Sequence, residues 1–312
     1  MRLGGRRRLG TDHRRADRNR PAERNHRPRP RLFTRKHRQP ERNRRMRTSI
    51  NGTVWSSLSK ATGQEYPWRD RVRHAAEAGY DGIEMGGTEK SLGKAADVRA
   101  FIEDNGLQIS SWAASVTYNP YKPNTDQYRE SLRYAAEIGA KIVTVCGGFI
   151  PNQRRNTYPF DYDMFAGNLG KALAYAHKLG LEIAFHPHRG CVVETVAEAR
   201  QMAKRLPDLK FCIDTAHLEA SGEDAMKFIT AFSKRIIATH IKDYSWKRDS
   251  FVEPGKGDGS LDVSACIAKL ERAGYKGWYT IELDKHWDKF KQRPTPVQVG
   301  RQCRKFLRGC NL

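Results

Sequence analysis

Residues 180–214 read GLEIAFHPHRGCVVETVAEARQMAKRLPDLKFCID and contain one complete strand–helix–strand pattern. The short apolar run Glu182–His186 predicts a strand, the amphipathic stretch Val196–Leu206 predicts a helix, and Lys210–Ile213 predicts the next strand. Gly180 stands where the preceding helix would end, and glycine adopts the left-handed conformation of a helix C-cap at little cost. This stretch therefore indicates parallel strands that are connected by helices.

The same alternation extends from Met46 to the end of the chain. The apolar runs predict eight strands: Thr48–Trp55, Gly82–Met85, Gln108–Ala113, Lys141–Cys146, Glu182–His186, Lys210–Ile213, Ile236–Ile241 and Trp278–Leu283. The amphipathic stretches predict the helices Trp68–Ala78, Ala95–Asn105, Thr125–Ile138, Asp163–Leu179, Val196–Leu206, Ala225–Phe232, Val263–Ala273 and Pro296–Leu307. Glycines follow five of these helices: Gly79, Gly106, Gly139, Gly180 and Gly274. No GxGxxG turn follows a strand, which weakens the doubly wound alternative. We expect an α/β fold, a single (β/α)8 TIM barrel over residues 46–312.

The first 45 residues differ from the rest of the chain in composition. They hold 17 Arg and one Lys against four acidic residues, a net charge of +14 out of the +22 of the whole chain. They contain too few apolar residues to offset the entropy of an ordered chain, so we expect a disordered basic tail before the barrel. Three interpretations stay open: an arm that binds nucleic acid or a membrane surface, a tail without a role, or an upstream extension before the true start at Met46. The excess of Arg over Lys favours the last.

The remaining composition limits the class of protein. No run of about 18 apolar residues predicts a membrane span, and the tail lacks the apolar segment of a signal peptide. The six cysteines form no CxxC pair, which is typical of reduced thiols in a cytoplasmic protein. The net charge of +8 outside the tail is that of an ordinary enzyme, so nucleic acid is not an expected partner. We expect a small-molecule substrate and a homo-oligomer, to which a small partner subunit could be added.

Polar side chains gather at the ends of the last four predicted strands. In a (β/α)8 barrel the reactive groups lie at the carboxyl ends of the strands. The side chains at these four ends are His186 and His188, Asp214 and His217, His240 and Lys242, and Glu282 and Asp284. Each alone could be a hydrogen-bonded core or loop residue. Four such ends on successive strands favour one shared site in the mouth of the barrel.

Side chains two residues apart share one face of a strand, so one member lies deeper in the barrel on the strands that end in His186 and His188, His240 and Lys242, and Glu282 and Asp284. The deeper members, together with Asp214, give two imidazoles and two carboxylates: His186, Asp214, His240 and Glu282. Two buried carboxylates need a cation to balance them. Two nitrogen and two oxygen ligands suit Mn²⁺, Co²⁺, Fe²⁺ or Zn²⁺ better than Mg²⁺ or Ca²⁺.

The His-x-His, Asp-Thr-x-His, His-x-Lys-Asp and Glu-x-Asp strand ends resemble those of the xylose isomerase-like TIM barrel superfamily, the sugar phosphate isomerase/epimerase group. The resemblance covers most of residues 46–312 and implies one divalent metal, commonly Mn²⁺, held by His186, Asp214, His240 and Glu282. His186 stands where the epimerases usually have Glu. Residues 186–195, HPHRGCVVET, are more similar to the inosose dehydratases of this superfamily.

This departure bears on the reaction. An epimerase that works through an enediolate needs a proton acceptor on each face of the substrate, and only Glu282 is left in that role here. A lyase needs one base beside the carbonyl and one acid at the leaving group. We therefore expect a metal-dependent dehydratase or related lyase that acts on a keto-cyclitol, a keto-sugar or a 3-oxo-glycoside. The base candidates are His188 and Glu282, and the acid candidates are His217 and Lys242.

Three further residues are expected to contact the substrate: Glu84 at the end of strand two, Trp112 at the end of strand three, and Lys256 in the GKGDG loop at residues 255–259. Glu84 could instead pair with a basic neighbour, and the loop could be an ordinary flexible loop rather than a phosphate cradle. The alternative functions are a sugar isomerase or epimerase, a DNA-repair nuclease similar to endonuclease IV, and a non-catalytic subunit. The nuclease is disfavoured because residues 250–256 lack the extra histidines of its three-metal site.

Overall fold

The computed structural model describes residues 46–116, 125–148, 159–291 and 293–310. Eight parallel strands in these residues close into a barrel: β1 Thr48–Asn51, β2 Gly82–Gly86, β3 Gln108–Val116, β4 Ile142–Gly147, β5 Glu182–Phe185, β6 Lys210–Asp214, β7 Ile236–Ile241 and, after a hairpin, β10 Tyr279–Ile281. Strands that follow one another in the barrel pair side by side, and β1 pairs with β10 to close it. The antiparallel hairpin is formed by β8 Asp243–Ser245 and β9 Ser250–Val252.

Helices alternate with the barrel strands. They are α1 Thr53–Thr62, α2 Trp68–Glu77, α3 Glu89–Leu92, α4 Ala95–Asp104, α5 Thr125–Glu137, α6 Pro159–Lys178, α7 Val196–Arg205, α8 Thr215–Ala220, α9 Ala225–Phe232, α10 Val263–Arg272 and α11 Pro296–Gly309. The five glycines predicted to end helices all have a left-handed φ between 72° and 89°. The predicted (β/α)8 TIM barrel is confirmed.

Small buried residues inside the barrel lie directly below the polar side chains at the strand ends. Ala184, Cys212 and Ala238 are buried together on β5, β6 and β7. Because side chains two residues apart share a face, the next inward positions on these strands are His186, Asp214 and His240. The large apolar side chains fill the layer between the barrel and the helices instead.

The predicted strand Thr48–Trp55 is wrong at its carboxyl end. β1 stops at Asn51, and helix α1 begins at Thr53. Asn51 Oδ1 accepts a hydrogen bond from the backbone N–H of Thr53 at 2.7 Å, which turns the chain into the helix. Val54 and Trp55 are buried as core residues of α1. A short apolar run is compatible with both a strand and a buried helix, so the pattern did not separate the two. The short helices α3 and α8 and the β8–β9 hairpin were not predicted either.

The predicted tail of residues 1–45 lies outside the described residues, and its order stays a prediction. The six cysteines are free thiols, four of them buried. No described helix combines the length and the apolar character that crossing a membrane requires.

Candidate active site

Four side chains converge at the carboxyl ends of β5, β6, β7 and β10. One nitrogen or oxygen atom from each of His186, Asp214, His240 and Glu282 lies within 4.8 Å of the others. His186 Nε2 is 3.4 Å from Asp214 Oδ2, and His240 Nδ1 is 3.3 Å from Glu282 Oε2. All four side chains are buried. The barrel thus brings together the four residues that the strand ends predicted as one site.

The unsatisfied atoms of this cluster fit a cation. His186 Nε2 and His240 Nδ1 are shielded from solvent and have no hydrogen-bond partner among the residues that the structure describes. Buried polar atoms are normally paired, so two buried imidazole nitrogens that face two carboxylates fit a cation as their common partner. Two nitrogen and two oxygen donors suit a divalent transition metal. The cluster could hold one such ion.

Asp214 uses its two carboxylate oxygens for different purposes. Oδ1 caps helix α8, because it accepts hydrogen bonds from the backbone N–H groups of Ala216 at 3.0 Å and His217 at 2.9 Å. Oδ2 faces the cluster. The next residue, Thr215, donates a hydrogen bond from Oγ1 to the carbonyl oxygen of Lys242 at 2.7 Å. The end of β6 is therefore fixed to α8 and to the end of β7.

Glu84 orients the imidazole of His240. Glu84 Oε1 lies 2.9 Å from His240 Nε2, and the carboxylate also accepts hydrogen bonds from Asn51 Nδ2 and Ser111 Oγ. Burial opposes a charge on Glu84, but His240 and Ser111 outweigh it and lower the pKa of the carboxyl. Because a carboxylate only accepts, Nε2 carries a proton, and Nδ1 is the nitrogen that faces the cluster. Glu84 thus acts beneath His240, and its direct contact with a substrate stays a prediction.

Lys242 places a positive charge among three carboxylates. Its Nζ lies 2.9 Å from Asp214 Oδ2, 3.0 Å from Asp284 Oδ1, and within hydrogen-bonding distance of Glu282. Burial would lower the pKa of Lys242, but Asp214, Asp284 and Glu282 raise it well above its usual value. The ammonium group is therefore charged and offsets part of the negative charge of the site.

His188 and His217 form a second imidazole pair above the cluster. Their ring centroids are 3.7 Å apart, with an interplanar angle of 39°. Burial, followed by the charge of His186, lowers the pKa of His188 to about 4. Burial and then the charge of Lys242 lower the pKa of His217 well below its usual value. Both rings are therefore neutral near pH 7.

The proton positions on this pair follow from their neighbours. His188 Nδ1 lies 2.7 Å from the carbonyl oxygen of Arg189, so Nδ1 donates and Nε2 carries the lone pair. Neither ring nitrogen of His217 has a hydrogen-bond partner within the described part of the chain, and its nearest carboxylate is Asp284 at 3.8 Å. The neutral ring of His188 therefore lies beside the ring of His217, whose two nitrogens make no hydrogen bond within the described residues.

A cavity of about 200 Å³ opens onto the cluster. His186, His240, Glu282 and Glu84 line it, together with Cys146. The contact between Cys146 and the site was not predicted, because nothing in a lone cysteine at a strand end marks it as functional. Asn51, at the end of β1, was also missed, although the rule that found Glu84 applies to it. Ser111 was missed as well, and it lies inside β3, where it pairs with Glu84.

Two predicted substrate contacts stand apart from this cavity. Trp112 is fully buried, packs on Tyr134 with ring centroids 5.5 Å apart, and donates a hydrogen bond from Nε1 to the carbonyl oxygen of Gly87. Lys256 is exposed on the glycine-rich loop and does not line the cavity. Substrate contacts of Trp112 and Lys256 stay predictions without support from the cavity.

The glycine-rich loop binds a carboxylate of the chain itself. The backbone N–H of Gly255 donates to Asp243 Oδ2 at 3.1 Å. A Cβ atom at Gly257 would overlap the Asp243 carboxylate and lie 2.7 Å from the carbonyl oxygen of Tyr244, so this position requires glycine. The amide that a phosphate cradle would use at Gly255 is therefore already engaged by Asp243.

The fold and the site together define a class of protein: a closed (β/α)8 barrel with two imidazoles and two carboxylates gathered at its carboxyl-terminal mouth. The chain belongs to the xylose isomerase-like TIM barrel family, whose sequence profile matches residues 72–309. The resemblance that the strand ends carried is confirmed.

Curated relatives of the chain include several inosose dehydratases. The protein from Geobacillus thermodenitrificans is 27% identical over 283 residues, which cover 79% of this chain and 90% of the relative. The protein from Lacticaseibacillus casei is 24% identical over 276 residues, which cover 78% of this chain and 90% of the relative. Both alignments extend over most of the barrel.

Solved structures with the same fold are more distant in sequence. The 3-keto-D-glucoside 4-epimerase from E. coli superposes with a TM-score of 0.66 at 18% identity, over 85% of this chain and 100% of that one. The IOLI protein with a bound zinc atom superposes with a TM-score of 0.66 at 16% identity, over 85% and 98%. At these identities the likeness shows the fold.

Proposed function

We propose that the protein is a divalent-metal-dependent lyase that removes water or an aglycone from a keto-cyclitol, a keto-sugar or a 3-oxo-glycoside by β-elimination. His186, Asp214, His240 and Glu282 hold the metal, for which Mn²⁺ is our first choice and Co²⁺, Fe²⁺ or Zn²⁺ are alternatives. The observation that carries the proposal is His186 at the end of β5, an imidazole in the cluster at the place of a second glutamate. The curated inosose dehydratases, at 24% to 27% identity, support the same reaction class.

The bound cation would supply Lewis-acid polarisation of the ketone of the substrate. His188 is the proposed base, because the Arg189 carbonyl holds the proton on Nδ1 and leaves the Nε2 lone pair to accept a proton from the carbon next to the ketone. Glu282 is the weaker candidate for this role, since His240 and Lys242 already engage its carboxylate.

His217 is the proposed acid at the leaving group. Its ring lies against that of His188, and Asp284 is 3.8 Å from its Nε2. His188 takes the proton from the carbon next to the ketone and passes it to the adjacent, neutral ring of His217. The imidazolium that forms at His217 gives this proton to the leaving oxygen as the C–O bond breaks, so water or the alcohol of the aglycone departs and both rings are neutral again.

Lys242 is the proposed electrostatic partner of the reacting substrate and not its acid. Its ammonium group stays charged because Asp214, Asp284 and Glu282 surround it. A fixed positive charge in a buried site stabilises the negative charge that develops on an enolate. Lys242 is therefore proposed to favour proton abstraction through its charge, while it keeps its own proton.

The proposal is tested by turnover of three substrate classes. Protein stripped of metal and reloaded with Mn²⁺ is incubated with a keto-inositol, a ketohexose and a 3-oxo-glycoside, and the products are identified by mass spectrometry. We expect a product that has lost one water, or a released aglycone, only in the reloaded sample. The His188→Ala variant, loaded in the same way, is the matched control and should form far less product. A screen without any elimination product, or equal product without metal, would contradict the proposal.

A further inference from the structure

A second cluster of metal-binding side chains lies beside the first. Cys146, near the end of β4, Cys191, in the loop after β5, and His188 each place one ligand atom within 4.8 Å of the others. Cys191 is buried, and Cys146 is partly exposed and lines the cavity that opens onto the first cluster. This second cluster, hereafter the thiol cluster, shares no residue with His186, Asp214, His240 and Glu282.

Backbone hydrogen bonds hold the loop that carries Cys191. The backbone N–H of Cys191 donates to the carbonyl oxygen of His188 at 3.1 Å, which closes a tight turn. Gly190 occupies the left-handed region of this turn, with φ at 82°. The backbone N–H of Val192 then donates to the carbonyl oxygen of Gly148 at 2.8 Å, which ties the loop to the end of β4. The two thiols are therefore brought together by the backbone itself.

The orientation of His188 suits a metal ligand. Histidines that bind metals commonly donate their other ring N–H to a backbone carbonyl, which fixes the ring. His188 Nδ1 makes such a contact with the Arg189 carbonyl at 2.7 Å, which leaves the Nε2 lone pair as the donor atom. Thiolate and imidazole together prefer Zn²⁺ and other thiophilic cations.

The dimensions of the thiol cluster also fit. With Zn–S bonds of about 2.3 Å, two sulfur ligands of a tetrahedral ion lie about 3.8 Å apart. The ligand atoms of the thiol cluster lie within 4.8 Å of one another, which is close to the spacing that such an ion requires. Three protein ligands leave the fourth position of a tetrahedral ion open.

We infer that Cys146, His188 and Cys191 form a second metal site for one thiophilic divalent cation such as Zn²⁺. The two thiols lose their protons on binding, and His188 contributes Nε2. A cation at this site would also withdraw His188 from proton transfer. That consequence rests on the proposed function, whereas the site itself does not.

The site is tested with Cd²⁺ as a thiophilic probe, whose bonds to thiolates absorb in the ultraviolet. The full chain is reduced, stripped with a chelator and titrated with Cd²⁺, while the thiolate-to-metal band and the bound stoichiometry are followed together. We expect the wild-type protein to show the band and to bind two equivalents. The Glu282→Gln variant should keep the band and lose the first equivalent instead, which separates the two sites.

The Cys191→Ser variant should lose the band and one equivalent of Cd²⁺ while it keeps its far-ultraviolet circular dichroism. The matched control is Cys310→Ser, which removes a half-buried thiol at the end of α11 and should leave the band unchanged. A wild-type protein without the band, or a band that persists in Cys191→Ser, would overturn the proposal. Neither outcome depends on turnover, so a failure here leaves the proposed function standing.

Discussion

The two imidazoles that follow β5 are proposed to have different roles. His186 Nε2 faces Asp214 in the cluster, whereas the ring of His188 lies against His217. The sequence pattern places both on one face of the predicted strand, so it does not separate ligand from base; in the structure β5 ends at Phe185, before both histidines. The structure supports the separation because His188 Nδ1 is held by the Arg189 carbonyl.

Substitution of each imidazole tests this difference. His188→Ala should keep the metal of the four-residue cluster and bind substrate but lose roughly 10²–10⁴-fold in kcat, the usual contribution of a general base. His186→Ala should lose the metal first and its activity as a consequence. Metal content and steady-state kinetics measure both, with the exposed His177→Ala as the control. A metal-poor but active His188→Ala beside a metal-replete and inactive His186→Ala would exchange the two roles.

Glu84 is a positioning residue whose contribution acts through His240. Glu84→Gln removes the carboxylate that accepts the His240 Nε2 proton, so the ring loses the preference for presenting Nδ1 to the cluster. We expect metal affinity to fall about 10- to 100-fold, as for other groups that orient metal ligands. Calorimetric titration measures this, and Ser111→Ala, which removes only a neighbour of Glu84, should have a smaller effect. Equal affinity in Glu84→Gln and wild type would refute the positioning role.

At the scale of elements, the sequence predicted which side chains lie at the strand ends, but not which residues from other segments contact them. The ends of β5, β6, β7 and β10 follow from the order of apolar runs along the chain, and they supplied the whole four-residue cluster. Contacts between distant segments have no such local signal. Glu84 and His240 lie 156 positions apart, and only the closed barrel brings them together. The end of β1 was misplaced for a local reason, since the apolar run continues from the strand into α1.

Asp214 is both the N-cap of helix α8 and a proposed metal ligand, and its variants separate these two roles. Asp214→Ala should lose tight metal binding and also destabilise the fold by about 0.5–2 kcal/mol, because helix α8 loses its N-cap. Asp214→Asn should lose the metal but keep most of the stability, since asparagine is also a good N-cap. Glu282→Ala should lose the metal without any loss of a cap. Metal content after dialysis against a chelator and denaturant unfolding measure the two effects. Retention of one metal equivalent by Asp214→Ala or Glu282→Ala would show that the ligand set is wrong.

At the scale of the whole molecule, the closed barrel gathers every proposed functional group at one end. The residues 1–45 contribute none of these groups and carry most of the excess positive charge. We therefore expect a chain that starts at Met46 to keep both its fold and its turnover, because the removed residues lack core-forming side chains. Circular dichroism and kinetics of the shortened chain measure this. Loss of more than about half of the activity would revive the interpretation of a binding arm.

The most direct test of the account follows one carbon-bound proton in deuterated solvent. The Mn²⁺-loaded protein is incubated with a keto-inositol in D₂O, and substrate and product are analysed by mass spectrometry. If the protein is a lyase with one base, the product has lost one water. Substrate that gains deuterium next to the ketone and is recovered as an epimer or isomer, without loss of water, would contradict the elimination and assign the barrel to an isomerase or epimerase.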